Sequence, residues 1–142
     1  MKQLKKWLPL PFLCAALALM IPPIGNLMVF APGPDERRVV AFSWFDGTSW
    51  GYGQLFPLPA AVLTAVSLLL LVASCLTGRG GAVCFGFLIA AAAFAVMALL
   101  TANARNGWGI AAVALVALAA AAQGVVRHGK FRAPRPSPPG KI

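Results

Sequence analysis

Carboxylates are nearly missing from this chain of 142 residues: Asp35, Glu36 and Asp46 are its three acids, and all fall in one segment. None lies in an apolar run, where ionisable groups are the usual mark of proton or ion pathways, so a proton-coupled exporter is disfavoured. Histidine occurs once, as His128, too little for a metal site and without an acid beside it to act as a base partner. The three cysteines, Cys14, Cys75 and Cys84, show no paired ligand spacing. Cys75 and Cys84 flank a turn that the charge balance puts in the cytoplasm, so reduced thiols, inert or reversibly acylated, are expected there rather than a disulfide. No serine or threonine has an adjacent base to activate it. The chain also offers no convincing strand, so the Gly-rich stretch 78–81 reads as a turn and not as a phosphate cradle. These gaps lead to one expectation: no catalytic residue, no cofactor, no metal, and no enzymatic activity.

Apolar length is what the chain has in abundance. Four uncharged stretches, 7–30, 56–76, 82–101 and 108–126, fill more than half of it. At 1.5 Å of rise per helical residue, about 20 residues match a hydrocarbon layer of about 30 Å. The expected fold is an all-α membrane protein, with four transmembrane helices in an up-down antiparallel bundle. Residues 1–126 form its single domain, with an outer loop at 31–55 and a basic, Pro-rich tail at 127–142. A secretory signal is the rival reading of the first stretch, since Lys2, Lys5 and Lys6 precede it. The run is longer than an ordinary signal core, however, and no cleavage site stands out. Leu13 and Phe12 before Cys14 do not suit lipoprotein processing either.

The net charge of +9 follows from topology. With the N-terminus inside, nine basic residues (Lys2, Lys5, Lys6, Arg79, Arg127, Lys130, Arg132, Arg135 and Lys141) are cytoplasmic, and three (Arg37, Arg38 and Arg105) are outside. That bias favours both termini in the cytoplasm. Basic residues beside membrane spans also replace a nucleic-acid partner with the lipid bilayer, whose anionic headgroups attract the tail.

Two places carry the candidate recognition chemistry. The outer loop gathers Phe42, Trp44, Phe45, Trp50, Tyr52 and Phe56, with Asp46 among them. Trp and Tyr suit a half-wet interface, so an aromatic collar on the outer leaflet is one reading. A ligand or partner site on Trp44, Phe45, Asp46, Trp50 and Tyr52, hinged at Gly47, Gly51 and Gly53, is the other. The second place is the break expected within the first stretch. Pro22 and Pro23 remove two backbone donors, and Asn26 adds an amide, the ingredients of a cation site on freed carbonyls or of a plain packing kink. Further on, Thr64, Ser67 and Ser74 share one helix face, for hydrogen bonding to a neighbour or for lining a pore. The alanine-rich third and fourth stretches are smooth enough to pack closely against each other, or against a second copy.

The run Phe42, Ser43, Trp44, Phe45, Asp46, then Gly51, Tyr52, Gly53, then Phe56, Pro57, Leu58 leading to Ala61, Val62, Leu63 and Thr64 resembles a group of small uncharacterised four-helix integral membrane proteins of Gram-positive bacteria. The resemblance covers the outer loop and the start of the second stretch. It implies the topology and carries no activity. A claudin-like reading fails, because the loop is short and lacks paired cysteines. Small multidrug exporters match in size only, since their first helix holds a carboxylate. The expected role is a structural or accessory component of a bacterial plasma membrane, with a membrane-protein partner or a homo-oligomer. The alternative is a small oligomeric transporter or channel not driven by an intramembrane carboxylate.

Overall fold

The computed structural model describes residues 5–48, 54–101 and 106–131. Among them are helices α1 (Pro9–Met20), α2 (Pro57–Thr77), α3 (Gly81–Thr101) and α4 (Gly107–Phe131), and a hairpin of β1 (Asn26–Gly33) and β2 (Glu36–Phe42) between α1 and α2. Local chemistry explains most of the helix ends. Pro9 and Pro57 open α1 and α2 where a missing amide donor costs nothing. Gly78, at φ 71°, closes α2 in the left-handed conformation and returns its N–H to Ser74 O at 2.9 Å. Asn106 caps α4, its Oδ1 accepting the Gly109 N–H at 2.8 Å.

The first apolar stretch departs from expectation. A helix over 7–30 is replaced by a helix of 12 residues, about 18 Å long, that stops at Met20 and does not resume. Pro22 and Pro23 end it, and the residues that follow, Leu27 to Phe30, find a better set of hydrogen bonds across a hairpin. Leu27 pairs with Ala41, Met28 with Val40 and Val29 with Val39. The segment 31–55, expected as a loop, is accordingly not all loop, and the expectation of no strand is corrected. The hairpin accommodates its own prolines. A bulge between Phe30 and Gly33 takes up Pro32, which cannot donate to a ladder, and Pro34 enters the tight turn before Glu36.

Three helices are long and apolar enough to cross a membrane: Pro57–Thr77, Gly81–Thr101 and residues Gly107–His128 of α4, with mean hydropathies of 2.3, 2.6 and 2.2. Their apolar residues point outward as well as inward, with Leu69, Leu76, Leu100 and Val125 among the most exposed. A helix apolar all round belongs in lipid or in a larger core, which points to a membrane location.

The helices pack as a closed ring, α1 on α2, α2 on α3, α3 on α4 and α4 back on α1. The ring encloses two clusters. One joins Met20, Trp44, Ala60, Ala61, Ala95, Ala98 and Ala112; the other joins Leu13, Leu71, Cys84, Leu88 and Ala119. The small residues expected to bring the third and fourth stretches together are in this core, with Ala91 and Ala95 fully buried beside Ala112 and Val116.

Candidate functional site

Where the hairpin meets the bundle, four segments converge on the end of α1. The last helical carbonyls of α1 need donors, and Met20 O receives two: the Trp44 N–H and the Ser43 hydroxyl, each at 3.0 Å. The chain returning from β2 therefore seals the helix that precedes β1. From the other side, the Asn106 amide donates to Ile24 O. Gly109 of α4 then lies so close to Gly25 that a β-carbon on it would sit 2.7 Å from Gly25 O. Gly25 in turn lies against the Nε1–Cδ1 edge of the Trp44 indole, with no room for a side chain. The two glycines are required by close approach, not by backbone conformation.

Trp44 is 2% exposed, inside the core cluster. It is therefore neither an interfacial collar residue nor a surface contact, as expected of it, but a plug beneath the hairpin. Phe45, the next residue, is exposed. Asp46 closes a local turn: its Oδ1 accepts the Thr48 hydroxyl at 2.6 Å and the Thr48 N–H at 2.9 Å. Those bonds, the side-chain one foremost, hold its carboxyl below the ordinary aspartate range. Trp50, Tyr52, Gly51 and Gly53 lie outside the described residues. Of the expected break residues, Pro22 and Pro23 lie on the partly exposed link into β1, and Asn26 is buried.

Two buried side chains at this junction keep a polar atom without a partner, Asn26 through Nδ2 and Trp44 through Nε1; elsewhere in the chain buried Gln54 does so through both amide atoms. Each such atom costs about 1–3 kcal/mol unless something meets it. The junction pair can donate hydrogen bonds to a carbonyl or hydroxyl. No family model, curated protein or solved structure matches the chain.

Two of the three hydroxyls picked out on α2 bond within the helix. Thr64 donates to Ala60 O and Ser67 to Leu63 O, each at 2.7 Å, and both residues are buried. Sequence reasoning passed over Asn106 and Gly109, although an Asn three residues before a Gly at the start of an apolar run fits a capping residue. It also passed over Gln123, the one amide side chain in α4 and 5% exposed. A lone amide in an alanine-rich span is the signal that could have found it.

Proposed function

We propose that this protein is an accessory component of the bacterial plasma membrane that meets a membrane-protein partner through its outer hairpin. The observation that carries the reading is β2. Its residues from Glu36 to Ala41 are all exposed, with Val39 at 60% and Val40 at 40%, although the base of the hairpin is locked into the bundle. A two-stranded hairpin is marginal in isolation, and one that leaves the adjacent Val39 and Val40 bare has a surface to complete. The Arg38 and Glu36 side chains, 3.9 Å apart and well exposed, add little to its stability.

The reading rests on α1 acting as a fourth crossing in an up-down bundle with both termini in the cytoplasm. Three features support it. Lys6 lines a cleft with Gly78, Gly81 and Arg127 at one end of the bundle, while Ile24 and Gly25 meet Asn106 and Gly109 at the other. The two core clusters are visited in alternating order along successive helices. The basic residues Lys5, Lys6, Arg79 and Arg127 flank one set of helix ends and Arg37 and Arg38 the other, the asymmetry that orients membrane proteins. The transport reading would need the hydroxyls of Thr64 and Ser67 on a solute path, and both donate to their own helix.

The test is a photo-crosslinking residue at Val39 of the full chain in cells, followed by extraction in mild detergent. A single stoichiometric adduct is expected, lost when Val40→Lys and Ala41→Lys are added to the crosslinking chain and it still inserts. An adduct with the chain itself would identify the partner as a second copy. A protein that extracts alone and forms no adduct would reject the reading.

A further inference from the structure

The hairpin's two strands guard their outer edges differently. β1 is half buried, with Asn26 and Met28 closed off, and its exposed end carries Pro32 within the bulge between Phe30 and Gly33. Proline and a bulge are the ordinary devices that keep a sheet edge from taking another strand. β2 has neither. Among the described residues it has β1 as its one neighbour, and the six residues from Glu36 to Ala41 are exposed. Side chains along a strand alternate between faces, so Val40 shares a face with its pairing residue Met28, and Val39 shares the opposite face with Val29. Both valines are bare. A surface laid on one face of the hairpin would cover only one of them. A strand added along the edge brings side chains to both faces, and it also meets the outward backbone N–H and C=O groups that the outer strand of a ladder presents. Acyl chains cover valines and leave those groups unmet, which is why open sheet edges are not found facing hydrocarbon.

Charge narrows the occupant further. Arg38 stands 3.9 Å from Glu36 on the Val40 face, whereas Arg37, on the Val39 face, has no ion pair among the described residues. An incoming strand therefore gains most from an acid opposite Arg37 and apolar residues opposite the valines. A second copy does not supply them. In a two-fold pair of β2 strands, residue i faces j and j faces i. The registers centred on Arg38, Val39 or Val40, which cover both valines, place Val39, Ala41 or Ser43 of the copy opposite Arg37, and no acid. The register that sets Asp35 opposite Arg37 is centred on Glu36, so it opposes two glutamates and carries the valines past the copy's β2. We infer that β2 takes up, as a third strand along its free edge, an extended segment of a different chain, with an acid opposite Arg37 and apolar residues opposite Val39 and Val40. This rests on the proposal that the hairpin meets a protein partner, and it names what that partner offers.

A photo-crosslinking residue placed singly at Arg38, Val39, Val40 and Ala41 of the full chain in cells, with mass spectrometry of the joined peptides, tests this. All four positions are expected to join one segment, with the attachment point advancing along it residue by residue and an Asp or Glu at the place that faces Arg37. In the Val40 crosslinking chain, Arg37→Glu should lower the adduct yield about fivefold, and Arg37→Lys, which keeps the charge, should leave it within about twofold. In the purified adduct, alternate β2 amides should gain protection from hydrogen exchange over the free chain, as an added ladder requires. Adducts from Val39 and Ala41 alone, or from Arg38 and Val40 alone, would mean docking on one face; that overturns the added strand and leaves the partner reading in place. Joining to a peptide of this chain or to a phospholipid overturns it as well, and so does an unchanged yield in Arg37→Glu. No adduct at any position rejects both readings together.

Discussion

Gly25 and Gly109 show how little space separates the helix and hairpin layers. A methyl at Gly109 meets backbone, Gly25 O, and also approaches Asn106 Oδ1 at 3.0 Å, so nothing soft can yield. Gly109→Ala is therefore expected to destabilise by about 1–3 kcal/mol, the usual range for overpacking. Gly86 faces open space on α3, and Gly86→Ala should instead raise stability by about 0.5–1 kcal/mol through lower helix entropy cost. Thermal unfolding of both variants in one detergent checks the pair; equal effects would contradict the close approach. Asp46 gives a pH prediction at the same scale. Its carboxyl is lowered from 3.8 by donation from Thr48, so the folded turn favours the ionised form. The turn's contribution is present above the unfolded value of about 3.9 and is lost as pH falls through the lower folded value. Thr48→Val removes the largest cause and should move the Asp46 titration back up toward 3.8, read by carboxyl carbon NMR. An unmoved titration would mean that the hydroxyl does not reach the acid.

Among the elements, the helices built on unbroken apolar runs were legible, because 20 or so apolar residues in a row have few alternatives in a membrane protein. Their ends were legible too, since Pro57 and Gly78 act locally. Residues 21–42 were not. Counting hydropathy merges Leu27 to Phe30 with the helix before them, yet Pro22 and Pro23 cut that run, and the β-branched and aromatic residues Val29, Phe30, Val39, Val40 and Phe42 lie on either side of a Pro-containing turn. That is the pattern of a hairpin, visible only if each side of the proline pair is read as a separate segment. The junction beneath it was harder. Asn26 stands out for its amide, but the junction's other residues, Trp44 and Asn106, come from distant parts of the chain. Only the fold brings the return from β2 onto Met20 and α4 onto Gly25. The burial of Trp44 is hidden for the same reason: composition marks an aromatic as interfacial, while burial depends on what closes over it.

For the whole molecule, the two ends of the bundle differ in kind. One bears the hairpin and the chain's acids; the other bears the basic flanks and the cleft that holds Lys6 and Arg127. Charge asymmetry of this sort fixes orientation when basic residues sit in short segments beside the spans. Its outcome depends on α1, because a chain with three long helices and one of 12 residues crosses an even number of times only if the short one traverses the layer. A helix of about 18 Å spans too little hydrocarbon by itself. It is extended at one end by the turn at Lys5 to Leu8 and at the other by the Met20 to Gly25 link that is bonded into α4's cap. If these extensions complete the crossing, a phosphatase domain fused after Ile142 should be inactive in cells, and one inserted at Asp35 active. Fusions to a fluorescent protein that folds only in the cytoplasm should give the reverse. Moving Lys5, Lys6 and Arg79 to glutamine together should reduce the bias and populate the inverted form. Activity of the phosphatase at both positions would mean that α1 does not cross, and the hairpin and the tail would then share one side.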